Sequence, residues 1–354
     1  MDIMQLLQFT IDHKASDLHL IVGMLPTIRV DGELAPIRTE AVLTADVARE
    51  LILAIMAPEQ KDLFMTNKEL DFSYALGNAG RFRVNAYFQQ GKVSAALRLI
   101  PNTILTIEDL RLPKVYHQFS QLRQGFVLVT GPTGHGKSTT LAAILEEVNL
   151  LRAAHVVTIE DPIEFMYTPK KSMISQREMN ADTHSWSVAL RSVLREDPDV
   201  VLVGEMRDYE TIAAAITVAE TGHLVLATLH TNSAAQTIDR IIDVFPENQQ
   251  SQVRAQLANS LEAVLSQRLL PSLKGGRVAA TEVLLATSAL RNVIREAKTH
   301  QIDNIIQTSA ELGMMTLESS LAAWVQAGEV SMEQAMGFSL RPQELQRLVQ
   351  GKVG

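Results

Sequence analysis

The chain has 354 residues, of which 46% are hydrophobic and 20% charged, with 40 acidic against 32 basic side chains, a formal net charge of -8 and no cysteine. The length points to two domains and the composition to a chain that folds throughout. The acidic balance argues against broad binding to nucleic acid, and the lack of cysteine excludes disulfides, thiol catalysis and thiolate metal centres, as expected in a reducing, cytoplasmic setting.

The opening segment sets Asp2, Asp12 and His13 around a short apolar stretch, without the basic flank and long hydrophobic run of a secretory signal. No apolar run reaches the roughly 18 residues a membrane span needs, so membrane association is expected only through a partner. Residues 1–100 read as a small α+β domain. It should contain strands at Leu18–Val22 and Thr27–Val30 and a helix over Leu43–Met56 capped by Thr44. Strands Glu69–Leu76, Arg81–Phe88 and Val93–Ile100 follow, separated by the turn-prone GNAG and QQG. Arg81 and Arg83 alternate with Phe82 and Val84, so one face of that strand presents guanidinium groups, and Arg98 lies on the next strand. By pattern alone these are either exposed sheet arginines or groups that complete a neighbouring active site. A linker is expected at 101–115, where Pro101 and Pro113 bracket a stretch leading to a helix near Leu112–Leu122.

From Gly125 the pattern changes. FVLVT, HVVTI, VVLVG and HLVLATL alternate with helical segments at Lys137–Asn149, Ser185–Arg195 and Asp208–Glu220. Near-continuous apolar strands alternating with helices predict a parallel sheet covered on both faces, so residues 116–354 read as an α/β nucleotide-binding domain. After Pro271 the pattern adds a strand at Arg277–Leu285 and then helices to the C-terminus, including Leu317–Val325 and Pro342–Val349.

Gly131, Pro132, Thr133, Gly134, His135, Gly136, Lys137 and Ser138 fit the phosphate-loop pattern GxxxxGK[ST], between the apolar strand FVLVT and a helix that runs on through Thr139. The glycines let backbone amides converge on phosphate, and the helix N-terminus adds its positive dipole end. Lys137 should reach the β- and γ-phosphates of ATP, and Ser138 should ligate Mg2+. His135 occupies a free position of the motif and is expected to face solvent passively. Asp199–Glu205 is a second apolar strand ending in glycine and a carboxylate, which makes Glu205 the candidate for polarising the attacking water. Glu160, Asp161 and Glu164 cluster at the end of a third strand, as metal or water ligands or as a solvated acidic loop turned by Pro162. His223 and His230 flank LVLATL; His230 lies at the carboxyl edge where ligands collect, and His223 reads equally as structural or functional.

GPTGHGKSTT, VTIEDPIEF, ALRSVLREDPDVVLVGEMRD, TGHLVLATLHTNSA and ALRNVIREAKTHQIDNIIQT together resemble the motor ATPases of type IV pilus and type II secretion systems. ASDLHL and GRFRVNAYFQQG extend the likeness over nearly the full chain, and RNVIREAKTHQI is close to the pilus retraction members. The resemblance implies a PAS-like first domain, a RecA-like P-loop ATPase domain with C-terminal helices, and a homohexamer whose active sites are shared by adjacent subunits. By that resemblance Lys137 and Ser138 belong to Walker A, Glu160, Asp161 and Glu164 to an aspartate box, Glu205 to an atypical Walker B, and His223 and His230 to a histidine box. Arg83 and Arg98 match arginines that approach the phosphates. Implied partners are an inner-membrane pilus platform protein and, as an accessory, a second retraction ATPase, with the ring peripheral at the inner membrane. His135 departs from the family, which carries a small residue there. The absence of cysteine and the early ASDLHL favour retraction over assembly or secretion, where a four-cysteine zinc module is common. The alternative of another class, a nucleotide-gated scaffold, would not need the intact Lys137, Ser138 and Glu205 set, and a DNA translocase would need a basic stripe that is missing.

Overall fold

The computed structural model describes residues 2–30, 32–77, 79–100 and 103–351. Asn78 of the expected GNAG turn and residues 101 and 102 of the expected linker lie outside the described residues. The chain divides into two compact units, Met1–Thr103 with Pro162–Met166, and Ile104–Asp161 with Tyr167–Gly354.

The first unit opens with a helix, α1 (Ile3–Asp12), that the sequence pattern did not announce; Asp2 caps it in a reciprocal box with Gln5. Strands β1 (Asp17–Leu20), β2 (Thr27–Val30) and β3 (Glu33–Pro36) follow, then α2 (Ala45–Ala54), α3 (Pro58–Asn67), β4 (Glu69–Leu76), β5 (Gly80–Gln89) and β6 (Lys92–Ile100). Thr44 caps α2 as expected, its side chain accepting from the Val47 amide, a bond of the kind worth about 1 kcal/mol. The strands form one antiparallel sheet in the order β3-β2-β1-β6-β5-β4. Phe82, Val84, Leu97, Leu18 and Leu20 point into a core closed by Leu6, Leu7, Ile52 and Phe64. Arg83 and Arg98 sit directly opposite each other across β5 and β6, on the face away from that core by the period-2 alternation.

The second unit is built on a seven-stranded sheet in the order β13-β12-β7-β11-β10-β8-β9. In chain order its elements are α4 (His117–Gln121), β7 (Gly125–Thr130), α5 (Lys137–Leu151), β8 (His155–Glu160), β9 (Met173–Glu178), α6 (Trp186–Val193), β10 (Val200–Val203), α7 (Tyr209–Glu220), β11 (Leu224–Leu229), α8 (Ala234–Asp243), α9 (Glu247–Ser260), β12 (Leu261–Pro271) and β13 (Arg277–Leu285). Helices α10 (Ser288–Arg295), α11 (Ile302–Thr308), α12 (Leu317–Gln326), α13 (Met332–Phe338) and α14 (Pro342–Val349) complete it. The expected helix at Leu112–Leu122 is shorter: a 3-10 turn at Lys114–Tyr116 leads into α4, because Pro113 stops the chain becoming helical earlier.

Strands β7, β8, β10 and β11 are almost wholly buried and run parallel, as the apolar runs predicted. Two features went unread. Strand β12, flanking β7 in parallel, carries the buried polar residues Ser266, Gln267 and Arg268 that interrupt its apolar signal, and β13 pairs with it antiparallel, so the sheet is mixed at that edge. Beyond it a second core joins Leu270, Val278 and Ala280 to Leu317, Leu321, Ala335 and Leu345 of the C-terminal helices.

Candidate active site

Strand β7 ends at Thr130, the chain loops through 131–136, and the 15-residue helix α5 starts at Lys137. The carboxyl end of a central strand thereby feeds the amino end of a helix, whose unpaired amides and positive dipole end suit an anion. Gly131 has φ +142°, and a Cβ there would lie 2.4 Å from the backbone oxygen of Gln267 on β12. Only glycine lets the loop pass so close to the neighbouring strand. Lys137 is buried, and its Nζ donates to the carbonyl oxygens of Gly131 at 2.9 Å and Pro132 at 3.1 Å.

Two neighbouring strands end on the same edge. β11 delivers His230, whose Nδ1 lies 3.3 Å from Lys137 Nζ and 3.3 Å from the Thr133 hydroxyl. β10 delivers Glu205, whose Oε1 lies 2.8 Å from His230 Nε2. An ammonium only donates, so Nδ1 accepts from Lys137 and a neutral His230 carries its proton on Nε2, toward the carboxylate. The other Glu205 oxygen accepts from Arg207 at 2.7 Å. Burial pushes the Glu205 carboxyl up, but the Arg207 hydrogen bond, the neighbouring His230 and the positive charge of Arg207 and Lys137 outweigh it and hold the group below its ordinary value. Glu205 is therefore ionised at neutral pH. Its placement depends on Gly204, where a Cβ would be 3.3 Å from the Glu160 Cα, and whose carbonyl accepts from Thr228 at 2.5 Å. Glu205 and His230 border an open pocket of about 600 Å3 whose lining includes Asp239, Arg240 and Asp243 of α8.

The other expected residues are distributed differently. Glu160, 8% exposed, accepts from Thr158 at 2.6 Å and from Gln176 at 3.4 Å. Glu164 belongs to the segment Pro162–Met166 that groups with the first unit. Among the described residues no group of three or more acidic or histidine side chains is placed to hold a metal ion. Arg83 is paired with Asp71 at 2.5 Å and Arg98 with Asp17 at 2.9 Å. His223 lies at the opposite end of β11 from His230, within 3.1 Å of the Val218 carbonyl and the Thr221 hydroxyl, where α7 ends.

His135 does not face solvent as expected. Its Nδ1 accepts from the Leu269 amide at 2.9 Å, and its ring meets Phe338 edge-on with centroids 6.1 Å apart. The reason is that β12 outruns β7. The β7 pairing ends at Ser266 opposite Thr130, and beyond that point the Leu269 amide finds its partner on the loop. Burial, then the positive charges of Arg268, Lys137 and Arg277, hold the His135 pKa below its usual value and keep the ring a neutral acceptor. Three further residues were missed. Gln267 bridges Thr140 and the His135 carbonyl; Arg268 donates to the Asn232 carbonyl at 3.1 Å and side-chain oxygen at 3.0 Å, tying the loop after His230 to β12; and Arg207 pairs with Glu205. For Gln267 and Arg268 the sequence signal was the polar trio SQR inside an otherwise apolar stretch, a pattern that a central strand tolerates when each polar group has a partner.

A family model described as type II/IV secretion system protein matches residues 1–275. The type IV pilus retraction ATPase PilT of Pseudomonas aeruginosa is 50% identical over 335 residues, covering 95% of this chain and 97% of that protein. A twitching motility protein of Neisseria gonorrhoeae is 48% identical over 311 residues, 88% of this chain and 83% of that one. The crystal structure of the pilus retraction motor PilT with bound ADP has a TM-score of 0.92 at 43% identity, covering 98% of this chain and 99% of that chain. With its phosphate loop, its Glu205 and His230 edge and these relatives in agreement, the chain belongs to the type II/IV secretion system protein family.

Proposed function

We propose that the chain is a motor ATPase that hydrolyses ATP to retract type IV pili, the activity carried by its relatives' names. The observation that carries this reading is the relay Lys137–His230–Glu205 on one sheet edge beside the phosphate loop. The loop amides and Lys137 hold the phosphates, and an ionised Glu205, oriented by His230, positions a water for in-line attack on the γ-phosphate. The Lys137 ammonium, now turned onto two loop carbonyls, exchanges them for phosphate oxygens when nucleotide enters.

The donor set fits Mg2+, a hard ion that keeps much of its water and takes one or two protein oxygens beside substrate phosphate. Ser138, in the first turn of α5, is the proposed protein ligand, with Glu160 and Asp161 at the end of β8 positioning its waters. When bound, the ion neutralises charge on the phosphate oxygens. Arg83 and Arg98 are proposed to act in trans in a homohexamer, leaving Asp71 and Asp17 for a neighbouring subunit's phosphates. No helix among the described residues is long and apolar enough to cross a membrane. Docking at the cytoplasmic face of the inner membrane is proposed to run through a pilus platform protein, with a second retraction ATPase as accessory.

The experiment replaces the native copy in a piliated strain by this chain or by Glu205→Ala. The variant should bind ATP, hydrolyse it at least about 100-fold more slowly, and leave pili assembled but unretracted. Normal turnover in the variant sinks the role of Glu205, and loss of pilus assembly instead of retraction reverses the direction of work.

A further inference from the structure

A phosphate cradle works only if the loop's amides point at the anion, which requires the carbonyls of the same peptides to point away. A peptide unit is planar with N–H and C=O on opposite sides, so pinning one orients the other. The peptide joining His135 to Gly136 is pinned from outside the loop. Its carbonyl accepts from the Gln267 side-chain amide at 2.6 Å, while the Gln267 side-chain oxygen accepts from Thr140 in α5 at 2.9 Å. Gln267 is 1% exposed, and its bond to Thr140 is buried while its bond to the His135 carbonyl is partly buried. Its backbone oxygen is the atom that lies against Gly131, at the other end of the loop. One residue of β12 thus touches the start of the phosphate loop, its penultimate peptide and the first turns of the helix that follows.

We propose that Gln267 is a positioning residue for the nucleotide phosphates, setting the Gly136 N–H toward the anion by holding the preceding carbonyl outward. The inference rests on the nucleotide reading above. It separates Gln267 from a merely structural strand residue, because removing only the donor should harm phosphate binding more than folding. Glu at this position keeps the size and the acceptor for Thr140 but sets an oxygen against the His135 carbonyl, which favours rotation of that peptide and a carbonyl aimed at the phosphate.

The test is a titration of the full chain with N-methylanthraniloyl-ADP, alongside steady-state ATPase kinetics and thermal melting, for wild type, Gln267→Glu and Thr140→Val. Gln267→Glu should raise Kd and KM at least about 10-fold, the scale of one buried hydrogen bond lost with its acceptor left unsatisfied, with kcat within about twofold. Thr140→Val, which leaves the Gln267 amide on the His135 carbonyl, should shift Kd by less than about threefold. Wild-type Kd in Gln267→Glu, or equal effects of the two substitutions, overturns the proposal. A wild-type chain that does not bind the labelled ADP overturns the nucleotide reading itself.

Discussion

Gly131→Ala tests how tightly the phosphate loop is wedged against β12. The new methyl would lie 2.4 Å from the Gln267 backbone oxygen and 3.4 Å from its carbonyl carbon, atoms of a strand held by β13 at that residue and by β7 up to the residue before it. The φ of +142° adds strain for any residue with a Cβ, of order 1–3 kcal/mol, and overpacking adds about 1–3 kcal/mol more. A combined cost of about 3 kcal/mol lowers the melting temperature by roughly 6–12 °C for a unit of this size. If the loop instead moves off the strand, it costs nucleotide affinity by about 100-fold. Gly134→Ala is the control: φ is +80° but nothing lies within 4 Å of the added atom, so only the backbone term of about 1–2 kcal/mol applies. Calorimetry and labelled-ADP titration read both quantities. Equal effects of the two substitutions would refute the wedge.

Glu282 is buried on β13, accepting from the Ala234 amide at 2.7 Å, and burial first, with Asp303 and Glu318 nearby, pushes its carboxyl from 4.5 up to about 7. A raised folded-state value means that this group's contribution is fully present below pH 4.5 and is lost as the pH rises through 7, a change of roughly 3 kcal/mol at most. Glu282→Gln should therefore flatten the melting temperature between those limits and raise it at pH 8; an unchanged pH profile would show that the carboxyl is ionised in the fold. His230→Ala should lower kcat by about 100-fold through loss of the link between Lys137 and Glu205. His223→Ala, at the far end of β11, should leave kcat within about twofold and act on stability alone. Stopped-time phosphate release with both variants checks this, and equal loss of kcat contradicts the separation of the two histidines.

The chemistry that is local in the chain was legible because it depends on contiguous residues. GxxxxGK[ST] needs a strand before it and a helix after it, and both were visible as FVLVT and the run from Lys137. Glu205 was legible as the acid closing a buried apolar strand, and the alternation of Arg81 and Arg83 with Phe82 and Val84 matches the buried pattern of β5. Strand β12 was illegible because its buried Ser266, Gln267 and Arg268 look polar one by one. What makes them core residues is partners more than 100 positions away: Thr130, Thr140 and His135 for the first two. His135 misled for the same reason, since no local pattern says that β12 outruns β7 and leaves the Leu269 amide for it.

The linear order of residues thus decided where a strand, a glycine loop and a helix N-terminus follow one another, because these are short-range features set by local sterics and hydrogen bonding. Only the tertiary structure decided which of them meet. Strand order brings β7, β10 and β11 together although β8 and β9 precede β10 in the chain, and it placed Lys137, His230 and Glu205 within hydrogen-bond reach across 93 positions. It also set Gln176 beside Glu160 and paired Arg83 with Asp71. Those outcomes depend on burial and long-range register, where the cost of an unpartnered buried polar group outweighs any preference that residue has on its own.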